Sequence, residues 1–465
     1  MSASPPVHDD PQRPAGLLEV DESVVEDIAA LLEAGQRGMV LNLVADLYPA
    51  DVALLLTHLP FDEAHQLVRW LPPELASETV TELDDTFRAS LLEDLSEARL
   101  TDLLDALDTD DAADVLADLP PEVARHVLPD LASREDITDL LDYDEESAGG
   151  IMAREFVSIP PDWTLADATE EVRRNADTVD ELYTAFVVDD QGVLEGVISL
   201  KDLLLSPADV PVREIMEEEF ISVTTDVDQE EVGRIVQRYD LVSLPVLDEG
   251  GHLMGRITID DVVDVIREEA EEDMQIMSGV AGGEEPTDSV FRISRGRLPW
   301  LLVGLIGAGL SGLVIGSFEH TLEQAVVLAS FIPIVMAMAG NVGIQSSAIA
   351  VQGLASGEVW SSDVMRRLGK ELGAGLINGV ILSIVLGLAV MVIPFSNVDV
   401  VRLALTAGLS LLCVILIAAA LGTTIPLMLD RLGIDPAIAT GPFITTSNDI
   451  IGLSVFFLVA ILLYL

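Results

Sequence analysis

Five long apolar stretches near the carboxyl-terminal end constrain this chain more than any other feature. A helix needs about 20 apolar residues to cross a bilayer, and each stretch is at least that long. They are Leu298–Phe318, Ala325–Leu354, Leu372–Ile393, Val400–Leu429 and Ile438–Leu465. Inside a bilayer every backbone polar group must be paired within the protein, so each stretch is expected to be helical. The sequence therefore predicts a five-helix transmembrane domain over residues 291–465.

The last span contains one carboxylate, Asp449, which follows a run of hydroxyl and amide residues from Thr445 and Thr446 to Asn448. An acid at membrane depth is costly unless it faces protein or water, so it is a functional hypothesis by default. Asp449 is therefore the leading candidate for a pore residue, and Thr445 and Thr446 are candidates beside it.

The second span is also unusually polar. It contains Pro333, and then Asn341 and Gln345 within a stretch that includes two glycines and two serines. Such groups at membrane depth predict a broken helix that lines water or protein. Asn341 and Gln345 are therefore candidate ion-selecting residues. A ring of carboxylates attracts hydrated cations, and one chain supplies one such acid. A two-fold homodimer with two copies of Asp449 at its axis is the simplest design.

The chain is strongly acidic, but only in its first 290 residues. It has 80 Asp and Glu against 24 Lys and Arg, whereas residues 291–465 contain 9 acids and 8 bases. Phosphate binding requires basic patches, so nucleic acid is excluded as a partner. An acid excess with only two lysines is typical of a protein adapted to high salt. The single cysteine, Cys413, excludes a disulfide framework.

Basic residues predict the orientation in the membrane. Seven lie before the first span or in the loops after the second and fourth spans, and only Arg402 lies on the opposite side. The seven are Arg292, Arg295, Arg297, Arg366, Arg367, Lys370 and Arg431. Cytoplasmic loops carry the excess of bases, so the predicted location is the cytoplasmic membrane, with the N-terminus inside and the C-terminus outside. Residues 1–16 lack the apolar segment of a cleavable signal and are predicted to be a disordered tail.

A repeat of 12 residues organises residues 17–140. Leucines recur at this spacing, with another apolar residue three positions earlier, which puts two apolar side chains on one helical face. The leucines are Leu47, Leu59, Leu71, Leu83, Leu95, Leu107, Leu119 and Leu131. Leu-Pro pairs and acidic turns stop each short helix. The repeat predicts an all-α superhelical stack, since no single unit can bury its apolar face alone.

Two similar α/β halves follow, at residues 141–206 and 207–266. Each combines helices with a hairpin whose turn contains glycine. They resemble a tandem pair of CBS domains through Gly-Val-Ile-Ser-Leu-Lys-Asp at 196–202 and Gly-Arg-Ile-Thr-Ile-Asp-Asp at 255–261. CBS pairs are regulatory modules that often bind adenosyl ligands. The resemblance therefore implies ATP or another adenosyl ligand, without assigning residues to it.

Over residues 260–290 the sequence predicts an acidic connecting helix, followed by a flexible joint that contains glycines. Two sets of acids are spaced three to four residues apart, and like charges at such spacings repel each other. They are Asp261, Asp264 and Glu268, and then Glu269, Glu272 and Asp273. Hard divalent cations such as Mg²⁺ and Ca²⁺ would relieve this repulsion. A solvated acidic helix without bound metal is the alternative.

In this order of parts the chain resembles the MgtE family of magnesium channels and transporters over essentially its whole length. Five stretches carry the match, and they are specific in combination: Asp144–Met152, Asp226–Glu231, Asp260–Met274, Gly340–Gln345 and Gly441–Gly452. The resemblance implies a homodimeric Mg²⁺ pore, either a channel or a carrier, that closes when cytosolic Mg²⁺ binds the soluble domains and the connecting (plug) helix. It matches the pore aspartate to Asp449. The regulatory acids that it implies are Asp226, Asp261, Asp264, Glu269, Glu272 and Asp273. Ile344 stands where the family usually has a second Asn.

Three other classes of protein fit the sequence less well. A transporter for Co²⁺, Ni²⁺ or Zn²⁺ is disfavoured because no His or Cys lies near Asp449. An intramembrane aspartyl protease needs two carboxylates, and the spans hold only one near their centre, so the chain is predicted not to be an enzyme. A membrane-anchored CBS sensor without transport would leave five polar-lined spans without a purpose.

Overall fold

The protein forms two compact units, Met1–Val265 and Ile266–Leu465. The computed structural model describes residues 21–176, 178–179, 182–284, 288–357, 364–394 and 398–465. The predicted disordered tail, residues 1–16, lies outside the described residues. The order of elements confirms the predicted fold class: a helical array, an α/β pair, an acidic helix and five membrane-length helices.

The first unit begins with ten short helices whose apolar doublets form the core. Leu56 in α3 and Leu59 directly after it are both buried, as are the equivalent residues of most other repeats. Pro49, Pro73 and Pro121 lie in the first turns of their helices, where no backbone N–H is required. The predicted repeat is thus confirmed. The helices are α1 Glu22–Glu33, α2 Arg37–Val44, α3 Pro49–His58, α4 Phe61–Trp70, α5 Pro73–Thr81, α6 Asp85–Leu92, α7 Glu97–Leu104, α8 Thr109–Asp118, α9 Pro121–Val127 and α10 Arg134–Leu140.

Two three-stranded sheets follow, and they have the same topology. In each, the first strand pairs parallel with the second, and the second pairs antiparallel with the third. Gly192 and Gly251 at the two hairpin turns have positive φ, which glycine adopts without strain. The elements are β1 Ser158–Ile159, α11 Leu165–Arg174, β2 Thr184–Val188, β3 Leu194–Ser199, α12 Leu200–Leu205, β4 Val223–Thr224, α13 Gln229–Tyr239, β5 Ser243–Leu247, β6 Leu253–Thr258 and α14 Ile259–Met277.

A short latch, Arg154 and Glu155, joins the helical array to the second α/β half. The Glu155 carboxylate accepts hydrogen bonds from the backbone N–H (3.2 Å) and the hydroxyl (2.8 Å) of Thr109, the first residue of α8. The Arg154 backbone N–H donates to the same hydroxyl at 2.9 Å, and the Arg154 guanidinium donates to the carbonyl of Met254 in β6 at 2.8 Å. Glu155 thereby supplies the cap at the N-terminus of α8, because the preceding Asp108 makes no side-chain cap.

Five helices of the second unit, within the part of the chain that the structure describes, are long and apolar enough to cross a membrane. They agree with the five predicted spans. The elements are α15 Val290–Ser317, α16 Glu319–Gln324, a 3₁₀ helix Val326–Phe331, α17 Ile332–Ala355, α18 Val364–Val392, α19 Val400–Arg431, a 3₁₀ helix Pro436–Ala439 and α20 Pro442–Leu463.

The prediction of a broken second span was wrong in its placement. The helix α17 is continuous through Asn341 and Gln345, and the irregular segment is the 3₁₀ helix before it. Pro333 lies in the first turn of α17, where it removes no helical hydrogen bond. Gly343 does not break the helix; it provides room for a neighbouring side chain, Asn448.

The latch yields a first prediction. Replacing Glu155 by Ala removes the cap of α8 and should lower its local stability by about 1 kcal/mol, the usual cost of losing a cap. Amide hydrogens of α8 in the full-length protein should then exchange about fivefold faster, as measured by hydrogen–deuterium exchange. Glu195→Ala, an exposed acid on β3, is the matched control and should leave α8 unchanged. Equal exchange in both variants would contradict the assigned cap.

Candidate functional sites

Asp449 lies two turns into α20, half-buried among the spans. Its helix is fixed by two close approaches to other spans. Thr446 fills the space beside Gly307 of α15, and Asn448 fills the space beside Gly343 of α17. The Asn448 amide also donates a hydrogen bond to the carbonyl of Ala339 at 3.2 Å. A larger residue at either glycine would overlap these side chains, so both glycines position the helix that carries Asp449.

The hydroxyl groups before Asp449 have separate roles. The Thr445 hydroxyl donates to the carbonyl of Gly441 at 3.3 Å, within its own helix. The Thr446 side chain faces α15, as its contact with Gly307 indicates. Both residues are half-buried. Of the two, Thr445 lies one helical turn before Asp449 on the same face, as expected for spacing i, i+4.

Asn341 and Gln345 lie on an exposed stripe of α17 rather than against Asp449 of the same chain. Together with Gln352, which is also exposed, they fall within about 40° of one another around the helix. Gly343, which contacts α20, lies about 160° away from Asn341. The exposed Ile344 borders the stripe. The structure therefore does not bring the two predicted amides to Asp449 within one chain. Gln352 was missed, although its spacing of seven from Gln345 indicates the same face.

The first unit contains a second candidate site, on α8. Asp110 is buried, and Asp111 and Asp114 are half-buried on the same helix. Arg88 of α6 lies beside them; its guanidinium donates to Asp118 at 2.8 Å and to Asp85 at 2.7 Å. This α8 acid cluster, Asp110, Asp111 and Asp114, therefore has one buried arginine as its neighbouring cation.

Burial raises the pKa of every carboxyl group in this cluster. Desolvation and the neighbouring charge of Asp261 raise the pKa of Asp110 well above its ordinary value, and they raise that of Asp111 to about 7. Desolvation raises the pKa of Asp114 to about 8, although Arg88 opposes the shift. Burial also raises the pKa of Asp261, the second residue after the start of α14, to about 6. The acids of α8 and the start of α14 are therefore close enough to oppose one another's ionisation, in a place where burial already disfavours charge.

The other predicted regulatory acids have different surroundings. Asp226 is exposed and accepts a hydrogen bond from the Thr224 hydroxyl. Asp264 is exposed on α14. Glu269, Glu272 and Asp273 are half-buried on the second part of α14, in the second unit. The structure thus brings only Asp261 to the α8 acid cluster.

The α8 acids were missed from the sequence because the repeat does not mark them. In steps of 12 residues, Asp111 aligns with Phe87 and Val123 but also with Arg99 and Glu135, so an acid at this position does not depart from the pattern. Among the described residues, no three His, Cys, Asp or Glu side chains are placed so that they could hold a metal ion together. The α8 acid cluster is therefore an open site, in which water would complete any coordination.

Three family models match this chain. The MgtE model, described as a divalent cation transporter, matches residues 332–459. The MgtE intracellular N domain matches residues 47–146, and the CBS domain matches residues 148–209 and 212–268.

Relatives extend the similarity to nearly the full length. The magnesium transporter MgtE of Bacillus subtilis is 31% identical over 447 residues, 95% of this chain and 98% of that protein. The magnesium transporter MgtE of Enterococcus faecalis is 37% identical over 70% of this chain and 71% of its own length. A crystal structure of the cytosolic domain of the Mg²⁺ channel MgtE in complex with ATP is 32% identical, with a TM-score of 0.50; the match covers 52% of this chain and 99% of that domain. The names of these proteins confirm the prediction that the chain is not an enzyme. The chain belongs to the MgtE family of divalent cation transporters.

Proposed function

We propose that the chain forms a homodimeric, Mg²⁺-selective pore in the cytoplasmic membrane, and that cytosolic Mg²⁺ closes it. The observation that carries the proposal is Asp449, an acid near the middle of a span whose helix is held by α15 and α17. Two relatives named as magnesium transporters, one of them matched over nearly its full length, support Mg²⁺ as the ion. Whether the pore acts as a channel or as a carrier is left open.

The chemistry near Asp449 favours a hard, hydrated cation. The neighbouring residues Thr445 and Thr446 offer oxygen atoms. The only histidine after residue 290 is His320 in α16, and the only cysteine is Cys413 in α19. Mg²⁺ prefers oxygen and gives up its water reluctantly, so one carboxylate per chain can hold it through its hydration shell. Soft ligands for Co²⁺, Ni²⁺ or Zn²⁺ do not occur in α20.

A second copy of the chain is the proposed partner of the amide stripe on α17. Amide side chains at membrane depth are satisfied only by protein or by a water-filled cavity. Asn341, Gln345 and Gln352 are exposed in the single chain. A two-fold dimer would let the stripes of both copies line one aqueous path, with two copies of Asp449 beside it. The excess of bases on one side of the spans supports the orientation with the N-terminus in the cytoplasm.

The regulatory element is proposed to be the α8 acid cluster together with Asp261 and the other predicted acids of α14. When cytosolic Mg²⁺ is low, the ionised carboxylates among these acids repel one another, and the raised pKa values keep part of the α8 acid cluster protonated. When it is high, the ions neutralise them and hold α8 against the start of α14. Asp110 Oδ1 is buried without a hydrogen-bond partner among the described residues, which supports a cation there. Mg²⁺ bound to proteins often uses only one or two carboxylates and keeps several waters, so an open site fits it.

Two alternatives differ from this proposal in measured flux. A transporter for a different divalent cation would conduct Co²⁺ or Ni²⁺ in preference to Mg²⁺. A membrane-anchored sensor would conduct nothing. Flux measurements with the protein in liposomes separate all three, and cobalt hexaammine, a mimic of hydrated Mg²⁺, should block only a pore that accepts the hydrated ion.

Asp449→Asn tests the pore. The variant keeps the size of the side chain but removes its charge, and a unit-charge pair 4 Å apart interacts by about 4 kcal/mol in a medium of intermediate dielectric. We expect Mg²⁺ flux into liposomes to fall at least about tenfold. The matched control is Asp399→Asn, an exposed acid before α19 where Asn also serves as a helix cap. Flux that persists in Asp449→Asn would remove Asp449 from the ion path.

The raised pKa values predict that Mg²⁺ binding by the α8 acid cluster depends on pH. Raised carboxyl pKa values favour the folded cluster at low pH, and this contribution is lost as pH rises through about 6 to 8. Protons and Mg²⁺ therefore compete. The Mg²⁺ concentration that half-protects α8 from hydrogen exchange should fall at least about tenfold between pH 5.5 and pH 8.

The control for this pH dependence is a pair of variants. Asp111→Asn combined with Asp261→Asn should largely abolish it, whereas Asp190→Asn, an exposed acid in the first hairpin turn, should preserve it. A pH dependence that is the same in both would show that these acids are not the site.

ATP, or another adenosyl ligand, is proposed to bind the CBS pair. The support is the likeness of the soluble part to a cytosolic domain solved in complex with ATP. Calorimetric titration of the full-length protein with ATP should show saturable binding. Heat changes no larger than those with an equal concentration of pyrophosphate would reject an adenosine-specific site.

A further inference from the structure

The segment between α14 and α15 is tied down at residue 284. The side-chain amide of Gln275, near the end of α14, donates to the carbonyl of Glu284 at 2.8 Å and accepts from its backbone N–H at 2.8 Å. A carboxamide can do both at once because it has a donor and an acceptor. The predicted flexible joint is therefore bridged as far as Glu284, and residues 285–287 of it lie outside the described residues. Gly279 and Gly283 have positive φ, which lets the chain turn back towards Gln275.

The side chain of Glu284 makes the next connection. Its carboxylate accepts two hydrogen bonds from Nε of Arg297, at 2.9 and 3.1 Å, and pairs with Nη2 as well. Arg297 belongs to α15, the first span. The Glu284 side chain is 14% exposed and the Arg297 side chain is 51% exposed, so the pair lies at the surface with its carboxylate turned inward. The Arg297 guanidinium also lowers the pKa of Glu284, which keeps the carboxylate ionised.

From α15 the contacts continue to the pore. Gly307 of α15 lies against Thr446 of α20, three residues before Asp449. A direct contact runs beside this route, because Gly279, just after α14, lies against Gly441 and Pro442 at the start of α20. The end of the acidic helix is therefore connected to both the first and the last span.

We propose that Glu284 is a positioning residue that couples α14 to the first span, and thereby transmits the state of the acidic helix to the helix that carries Asp449. This inference rests on the proposed closure of the pore by cytosolic Mg²⁺. Glu284 is held on both sides, by Gln275 through its backbone and by Arg297 through its side chain. A displacement of the end of α14 must either break these hydrogen bonds or move α15 with it.

A charge swap tests the coupling in the full-length protein in liposomes. Mg²⁺ flux is measured against the Mg²⁺ concentration on the cytoplasmic face for Glu284→Arg, Arg297→Glu and the double swap. Each single variant should need at least about fivefold more Mg²⁺ to half-close the pore, the lower end of usual coupling between sites. The double swap should restore the wild-type midpoint to within about twofold, since it rebuilds the pair. Gln275→Met, which removes the hydrogen bonds at similar size, should resemble the single variants.

Two further measurements make the result specific. Protection of α8 from hydrogen exchange by Mg²⁺ should be unchanged in every variant, because the coupling lies beyond the acids that bind the ion. Glu323→Arg, an exposed acid on α16 with the same charge change, is the matched control and should close as the wild type does.

Single variants that close at the wild-type midpoint, or a double swap that fails to restore it, would overturn the coupling role and leave the proposed function intact. A wild-type pore that Mg²⁺ does not close would overturn both. If a single charge variant fails to fold, Gln275→Met and the double swap still test the coupling. Both conserve the net charge, and the double swap retains the ion pair.

Discussion

An ionised carboxylate that is removed from water requires a nearby cation, and this constraint governs both candidate sites. Most of the 80 acids of this chain need no such partner because water and salt screen them. Asp449 among the spans, and the α8 acids in the soluble unit, are the exceptions. In the second group burial raises the pKa of Asp111 and Asp114, because their charged forms lose water and the neighbouring Arg88 offsets this only in part. A soluble acid cluster that lacks a cation is suited to sense one, and an acid within a span is suited to attract one.

Close helix packing is the second requirement, and glycine meets it. Asp449 can face an ion path only if α20 is held at a fixed rotation. Gly307 and Gly343 allow α15 and α17 to approach α20, and the neighbouring side chains Thr446 and Asn448 fill the space that they leave. In lipid there is no hydrophobic force between helices, so such contacts and hydrogen bonds carry the association. Within the Gly340–Gln345 stretch, Gly343 therefore serves packing, whereas Asn341 and Gln345 remain exposed.

Sequence periodicity predicted the fold well and the sites only in part. The apolar doublets, such as Leu56 and Leu59, predicted the helical array because the spacing of apolar residues along the chain determines which face of a helix is buried. The five spans were equally clear, because the length and apolarity of a stretch are enough to identify a transmembrane helix. The α8 acids were missed because their burial depends on tertiary packing against Asp261, more than a hundred residues away. The prediction of a broken helix at Asn341 was wrong, because polar residues in a span can face a partner without interrupting the helical backbone.

The connecting helix combines these requirements in one rigid element. With 19 residues, α14 is about 28 Å long, and its start carries Asp261 while its end carries Gln275. A helix transmits displacement along its axis because its backbone hydrogen bonds resist bending, whereas a glycine-rich segment would dissipate it. The clamp from Gln275 to Glu284 removes that weak point at the position where glycines occur. When a cation neutralises the acids at the start of α14, the effect can reach the spans only if the end of α14 is fastened to the spans. Fastening that end is the role assigned to Glu284.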